Sequence, residues 1–172
     1  MHLTELLTPI RNEYLTAFLM ECDQLDENLG LILEPELKDE ETPENFWKLP
    51  YRIDAAIVEN GAVSNGMMVD CEITNGFTPV NSKVGELKLA LNPFTWNGCQ
   101  CLAHPALENP DWQPLKDWFL RHFADQPEEG SPFMNCLHYL DEPRLREDGW
   151  HFTLDFGSVD VTAVEELSQV IA

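Results

Sequence analysis

Basic residues are scarce in this chain of 172 residues, because ten Lys and Arg stand against 31 Asp and Glu and give a formal net charge of −21. A field of this sign repels the phosphates of nucleic acid and of anionic lipid. We therefore expect no nucleic-acid or membrane partner. The same field speeds association with a positively charged protein, so the charge favours a basic protein partner. Alternatively, the acidity serves only solubility.

Long apolar runs and a secretory leader are also missing. No apolar run approaches the ~20 residues that a membrane-spanning helix needs. The N-terminal stretch carries Glu5 and has no basic region followed by an apolar stretch and a cleavage site. Five cysteines, an odd number in a chain long enough to build a core, suit reduced thiols. These features predict a cytoplasmic protein.

Catalytic motifs are absent as well, since the sequence contains no phosphate-binding glycine loop, dinucleotide fingerprint or nucleophile elbow. Two polar pairs keep an enzyme of unknown chemistry open as an alternative: Cys136 with His138, and His151 with Asp155. The period of two along a strand is enough to bring such residues near one another. We therefore predict that they are polar residues on a solvent face, and we assign no catalytic residue.

The sharpest candidate for a metal site is Cys99, Cys101 and His104, with Cys71 or Cys136 as a further thiol. Structural zinc sites pair cysteines two to four residues apart and repeat the pairing, which this sequence does not do. On a strand, Cys99 and Cys101 would point to one face as small buried apolar side chains. We expect no metal site and no cofactor.

Three segments have helical spacing. Thr8 and Pro9 suit the cap and first position of a helix over 9–22. The dipeptide Asn109-Pro110 opens a second helix, and Asp160 or Thr162 caps a third.

Five segments have strand patterns, at 51–58, 67–73, 84–91, 134–140 and 150–156. The dipeptides Asn60-Gly61, Asn65-Gly66 and Asn75-Gly76 predict hairpin turns between them. We predict one α+β domain over 1–172, with an antiparallel sheet of about five strands and three helices packed mainly on one face.

The acidity is concentrated between Glu21 and Glu44, where ten acids stand against one lysine. The part around 34–46 lacks periodicity and contains a proline, so it is predicted to be an exposed acidic loop. Acids beside an aromatic anchor are typical of protein interfaces. The residues predicted to bind a partner are Glu34, Glu36, Asp39, Glu40, Glu41, Glu44 and Trp47.

The chain ends WHFTLDFGSVDVTAVEELSQVI, a strand, a Gly-Ser break and an amphipathic helix. With its size and acidity, this ending resembles the small acidic immunity proteins that bacteria make against toxins. The resemblance implies an inhibitor that neutralises a toxin or effector by occluding its active or substrate-binding surface, with a cognate toxin as partner. It carries over no functional residue. A DNA mimic that blocks DNA-binding proteins is an alternative that the acidity also permits.

Overall fold

The computed structural model describes residues 3–24, 30–37, 46–48, 51–60, 62–68, 78–84, 87–103 and 110–170. Its helices are α1 (Leu3–Cys22), α2 (Gln113–Phe123) and α3 (Val161–Val170), with a single 3-10 turn at Phe46–Lys48. Its strands are β1 (Gly30–Leu33), β2 (Glu36–Leu37), β3 (Tyr51–Arg52), β4 (Ala55–Glu59), β5 (Ala62–Met67), β6 (Val80–Val84), β7 (Leu87–Leu91), β8 (Cys99–Ala103), β9 (Tyr139–Leu140), β10 (Arg144–Arg146) and β11 (Gly149–Asp155).

These strands form four small sheets within the described residues, and every pairing in them is antiparallel. One sheet has the order β1-β4-β5, and another has β10-β11-β8 with β9 also paired to β11. The pairs β2-β3 and β6-β7 stand by themselves. The α+β class is therefore confirmed, but the prediction of one sheet of about five strands is wrong. Several strands are only two residues long, too short to extend a common ladder.

The helix α1 begins at Leu3 rather than at residue 9, so Pro9 lies inside it. The first turn is satisfied from the other end of the chain, because the Thr4 amide donates to Glu165 Oε1 of α3 at 2.9 Å. The Thr8 hydroxyl donates to the Thr4 carbonyl at 2.8 Å and is not a cap. The start of α3 is as predicted, since the Asp160 carboxylate accepts the Thr162 amide at 2.9 Å.

The predicted turns had different outcomes. Asn60 has φ +54° and β4 pairs with β5 as far as Glu59 and Ala62, which confirms a hairpin turn at Asn60; Gly61 lies outside the described residues. The prediction of a turn at Asn65-Gly66 is wrong, because both residues lie within β5. A Cβ at residue 66 would be 2.6 Å from Ile53 Cδ1, so this glycine makes room for a neighbouring side chain. Asn75-Gly76 lies outside the described residues.

The predicted strands also differ in extent. The 84–91 segment spans a hairpin, since β6 ends at Val84 and β7 begins at Leu87. The 134–140 segment contributes only β9, and most of 67–73 lies outside the described residues. The 150–156 strand is confirmed as β11, with Phe152 and Leu154 buried on its inner face.

The core lies between the helices and β11. Both α1 and α2 pack against α3, and Trp118 Nε1 of α2 donates to the Ala163 carbonyl at 3.0 Å. The apolar face of α2, formed by Leu115, Trp118, Phe119 and Phe123, is buried. The largest fully buried side chains include Trp96, Trp118, Phe18 and Phe156. This core surrounds a group of polar side chains.

Candidate functional site

A buried histidine, His138, lies between three carboxylates. Its Nε2 is 2.9 Å from Glu34 Oε1, and its Nδ1 is 3.2 Å from Asp54 Oδ1 and 3.8 Å from Asp155 Oδ2. The Tyr14 hydroxyl donates to Asp54 Oδ1 from α1. We call the following residues the His138 cluster: Tyr14, Glu34, Asp54, Cys136, His138 and Asp155. All six are buried.

Glu34 enters the cluster because the backbone turns sharply after β1. Its φ is +51°, a left-handed conformation that costs a residue with a side chain ~1 kcal/mol or more. Hydrogen bonds hold it there: its amide donates to the Asp54 carbonyl at 2.8 Å, and Arg52 Nη1 donates to its carbonyl at 2.7 Å. The turn thus places a carboxylate inside the protein.

The chain around His138 is fixed by the segment that follows β11. The His138 amide donates to the Asp155 carbonyl at 3.1 Å, and the Ser158 amide donates to the Cys136 carbonyl at 3.1 Å. Gly157 has φ +51°, and a Cβ at this position would overlap the His138 ring and lie 2.6 Å from the Cys136 carbonyl oxygen. Only glycine lets the two segments approach this closely.

The Glu34 carboxylate is fully engaged. Besides His138, its Oε1 accepts the Ser158 amide at 3.1 Å and its Oε2 accepts the Met134 amide at 2.5 Å. Burial opposes ionisation, but the hydrogen bonds from His138, Ser158 and Met134 lower the pKa of Glu34 below its ordinary value. Glu34 is therefore a carboxylate in the folded protein.

The pKa values of His138 and Asp155 in this cluster are also shifted. Burial would lower the pKa of His138, but Asp54, Cys136 and Glu34 raise that pKa well above its ordinary value. Burial, with the charges of Asp54 and Glu34, raises the pKa of Asp155 to about 7 despite the opposing charge of His138. The cluster thus contains a Glu34 carboxylate paired with a charged imidazole, and an Asp155 that holds its proton unusually tightly.

The cluster is closed to a substrate. Asp54, Cys136 and His138 are each 0% exposed, and Glu34 is 1% exposed. Cys136 and His138 are indeed neighbours, but the prediction that they face solvent is wrong because their segment is covered by the core. Burial raises the pKa of the Cys136 thiol, which disfavours the nucleophilic thiolate. This geometry supports a structural role rather than nucleophilic catalysis.

The other predicted pair is not brought together. His151 Nε2 lies 2.7 Å from Asp148 Oδ1 near the surface, whereas Asp155 faces the His138 cluster. Four residues along a strand separate the two by about 13 Å. Each side chain has a different partner, so they do not act as a base and its orienting acid.

The two cysteines of β8 lie on one face, as predicted, with their Sγ atoms 4.0 Å apart. The Cys101 thiol raises the pKa of Cys99 well above its ordinary value, and burial raises it further. Both effects disfavour the thiolate that a metal would need. His104 and Cys71 lie outside the described residues.

The residues predicted to bind a partner are separated by the fold. Glu34 is buried, so it is removed from the predicted partner-binding surface. Glu36 lies on β2 and is exposed. Trp47 is half-buried against the core, its ring 4.9 Å from that of Phe46 and 4.9 Å from Lys116 Nζ. Asp39, Glu40, Glu41 and Glu44 lie outside the described residues.

A second acidic loop, which the sequence pattern did not single out, lies beside Glu36. Residues 124–132 are all exposed, and Asp125, Glu128 and Glu129 belong to them. Arg52 holds this loop, because its Nη2 lies 2.7 Å from Asp125 Oδ1 while its strand pairs with Glu36 of β2. We call Glu36, Asp125, Glu128 and Glu129 the Arg52 acidic surface.

Three basic side chains make internal contacts, and one of them, Arg52, pairs with Asp125 of this surface. Arg52 is only 6% exposed. Arg11 donates to the carbonyls of Ser158 and Val159 at 2.6 and 2.7 Å. Lys116 lies over the Trp47 ring. Arg52 therefore offsets the charge of Asp125, and the other acids of this surface are Glu36, Glu128 and Glu129.

Of the cluster residues, only Glu34, Cys136, His138 and Asp155 were singled out from the sequence, and none as a member of a buried site. The available signal is a histidine within the apolar run MNCLHYL at 134–140. Such a residue is buried with its segment and then needs buried partners. The partners themselves come from distant parts of the chain and carry no local signal.

Comparison with protein-family models, with curated proteins and with solved structures gave no match for this chain. Among the helices that the structure describes, none has the length and apolar character needed to cross a membrane. Function therefore rests on the chain's own geometry and charge.

Proposed function

We propose that the chain is an acidic protein-binding inhibitor, of the kind that bacterial immunity proteins represent, which neutralises a toxin or effector by occluding its active or substrate-binding surface. Its partner is a basic protein. The observation that carries this proposal is the meeting of two acidic segments at Arg52. One contains Glu36 and leads into the acids of 39–44, and the other is the exposed loop 124–132.

The Arg52 acidic surface has the charge pattern that recognises cations. Arg52 already has internal partners. Its Nη2 pairs with Asp125, its Nη1 donates to the Glu34 carbonyl at 2.7 Å, and its Nε donates to the Phe123 carbonyl at 3.2 Å. Glu128 and Glu129 are exposed on the same loop. A basic surface would be steered toward this acidity, which raises association rates by about 10–1000-fold at low salt.

An aromatic side chain lies at the same place. Tyr51 is 47% exposed, pairs with Leu37 in the β2-β3 ladder and directly precedes Arg52. Exposed tyrosines beside charged rims often act as anchors in protein interfaces, because they bury much area at little cost in side-chain entropy. Tyr51 is a better placed anchor than Trp47, whose ring is already packed against the core.

The test uses charge variants with a matched control. One variant carries Glu36→Gln, Glu128→Gln and Glu129→Gln; the control carries Glu59→Gln, Glu142→Gln and Glu147→Gln, three acids that are also exposed. Asp125 is left in place so that Arg52 keeps its partner. Both variants change the net charge equally, so any difference between them reports location.

Lysate of the source organism is passed over the immobilised wild-type chain, and retained proteins are eluted with a salt gradient and identified. The association rate of a retained basic protein is then measured with both variants. We expect the first variant to slow association several-fold more than the control, and an apolar anchor to keep the complex together at high salt. Recovery of no specific protein, or only of general DNA-binding proteins that elute at modest salt, would contradict the proposal. If the two variants slow association equally, the partner does not bind at the Arg52 acidic surface.

A further inference from the structure

Within the part of the chain that the structure describes, one ring nitrogen of His138 has no hydrogen-bond partner. Its Nδ1 is buried, and among the described residues no acceptor lies in the direction of its N–H. Asp54 Oδ1 is 3.2 Å away and Asp155 Oδ2 is 3.8 Å away, close enough for charge attraction but off the line that a hydrogen bond requires. A buried polar atom left in this state lowers stability, so its persistence needs an explanation.

This nitrogen and the two carboxylate oxygens beside it have the spacing of metal ligands. His138 and one oxygen each of Asp54 and Asp155 all lie within 4.8 Å of one another. With two sides of that triangle at 3.2 and 3.8 Å, the point equidistant from the three atoms is at most about 2.4 Å from each. Zinc bonds to nitrogen and carboxylate oxygen measure about 2.0–2.2 Å, so a small movement would complete them.

Each of these ligands is also oriented by a further partner. Glu34 Oε1 lies 2.9 Å from the opposite ring nitrogen of His138, which is the carboxylate-histidine arrangement found behind metal-bound imidazoles. The Tyr14 hydroxyl donates to Asp54, and Asp155 Oδ1 accepts the Gly157 amide at 2.9 Å. The ring is thus fixed with Nδ1 turned toward both carboxylates, and the Asp54 oxygen nearest to it also accepts the Tyr14 hydroxyl.

We propose that Asp54, Asp155 and Nδ1 of His138 form a binding site for one divalent transition-metal ion, with Zn²⁺ the ion that suits one imidazole and two carboxylates. The neighbouring set of Glu34, Cys136 and His138 is the weaker choice, because Glu34 already accepts the amides of Met134 and Ser158 and bonds the other ring nitrogen. On binding, a divalent ion would displace the protons of His138 Nδ1 and Asp155, and its charge would replace theirs in compensating the carboxylates.

The role of such an ion is structural. It joins the link between β3 and β4 to the segment before β9 and the end of β11, two parts of the chain that the β9-β11 pairing already holds together. Since the site is closed, the ion enters as the chain folds, and its binding free energy adds to folding. The site does not depend on the proposed inhibitory function.

The test refolds the full chain from urea after chelator treatment, in a phosphine reductant, without metal or with Zn²⁺ or Co²⁺. After gel filtration we expect one ion per chain, and a higher melting temperature for the refolded holoprotein. Asp155→Asn should weaken Zn²⁺ binding by more than about tenfold. The control variant, with Cys99→Ser and Cys101→Ser, should bind as the wild type does.

The cobalt spectrum of the wild type tests the ligand set without any substitution, so the test survives if Asp155→Asn does not fold. Nitrogen and oxygen ligands give visible d–d bands without a thiolate-to-cobalt charge-transfer band. A charge-transfer band would overturn the proposal in favour of a cysteine-containing site, and loss of binding in the cysteine control would do the same. Refolding that retains no ion would show that the His138 cluster is an ion-pair network alone.

Discussion

Replacement of Glu34 by glutamine tests whether the His138 cluster holds the fold together. The side chain keeps its size, but it loses one of two acceptor oxygens. In the wild type, Glu34 Oε1 accepts hydrogen bonds from His138 and Ser158, and Oε2 accepts one from Met134. In either orientation the glutamine NH2 faces at least one buried donor, and the charged His138 loses its carboxylate.

The expected cost follows from these contacts. Removing one partner of a buried ion pair costs about 3–5 kcal/mol of stability. This range includes the cost of leaving the backbone donor beside residue 34 without an acceptor. A domain is stable by only about 5–15 kcal/mol, so Glu34→Gln is a large perturbation. At a urea slope of about 2 kcal/mol/M, the midpoint should fall by about 2 M.

Urea unfolding followed by tryptophan fluorescence measures this shift, with Glu36→Gln as the control. Glu36 is two residues further along and exposed, so its replacement should stay within about 0.5 kcal/mol of wild type. An unchanged slope would show that the loss is in the native state. If the two variants unfold at the same urea concentration, the reasoning about the His138 cluster is wrong.

Further substitutions test other contacts by the same unfolding assay. Gly157→Ala should cost about 3 kcal/mol, from the left-handed φ and the overlap with its neighbours, whereas Gly130→Ala, at φ +81° with nothing within 4 Å, should cost only about 1 kcal/mol; equal costs would argue against close packing at residue 157. Asp160→Ala removes the cap of α3 and should lower stability by about 1 kcal/mol, and an unchanged melting temperature would rule out the cap. Arg52→Lys keeps the positive charge but loses the planar guanidinium that donates to the Glu34 and Phe123 carbonyls, so it should lower stability by about 2–3 kcal/mol. Wild-type stability of this variant would show that the charge alone suffices.

Local rules predicted those parts of the fold that local contacts determine. A turn forms at Asn60 because this residue adopts positive φ at little cost. The Asn65-Gly66 dipeptide does not form one, since Gly66 is required by the Ile53 side chain. The start of α1 was misplaced for a similar reason, because Glu165 satisfies the first turn from 161 residues away. The spacing of residues along the sequence gives no information about such long-range contacts.

The His138 cluster shows the same limit more strongly. The sequence drew attention to Cys136 and His138 as a pair, but it gave no sign that their segment is buried. Glu34 is 104 residues from His138, and its carboxylate reaches the ring only because the backbone turns with positive φ after β1. Among 31 acids, nothing local distinguishes one that is buried from one that is solvated. Acidity therefore predicted a surface, and part of it proved to be internal.

The buried cluster and the acidic surface are joined through Glu34. Its carboxylate accepts the Met134 amide, and the Met134 carbonyl accepts the Gln126 amide of the acidic loop at 2.8 Å. On the other side, Arg52 connects the Glu34 carbonyl to Asp125. The start of the loop, at Asp125 and Gln126, is thus fixed to groups that cannot move without breaking buried bonds. A surface held in this way loses little conformational entropy on binding, and a partner that drew Asp125 away would leave the guanidinium of Arg52 buried without its carboxylate. The Arg52 acidic surface should therefore meet a partner as a preformed unit, with its exposed acids setting the rate of encounter and the His138 cluster keeping it rigid.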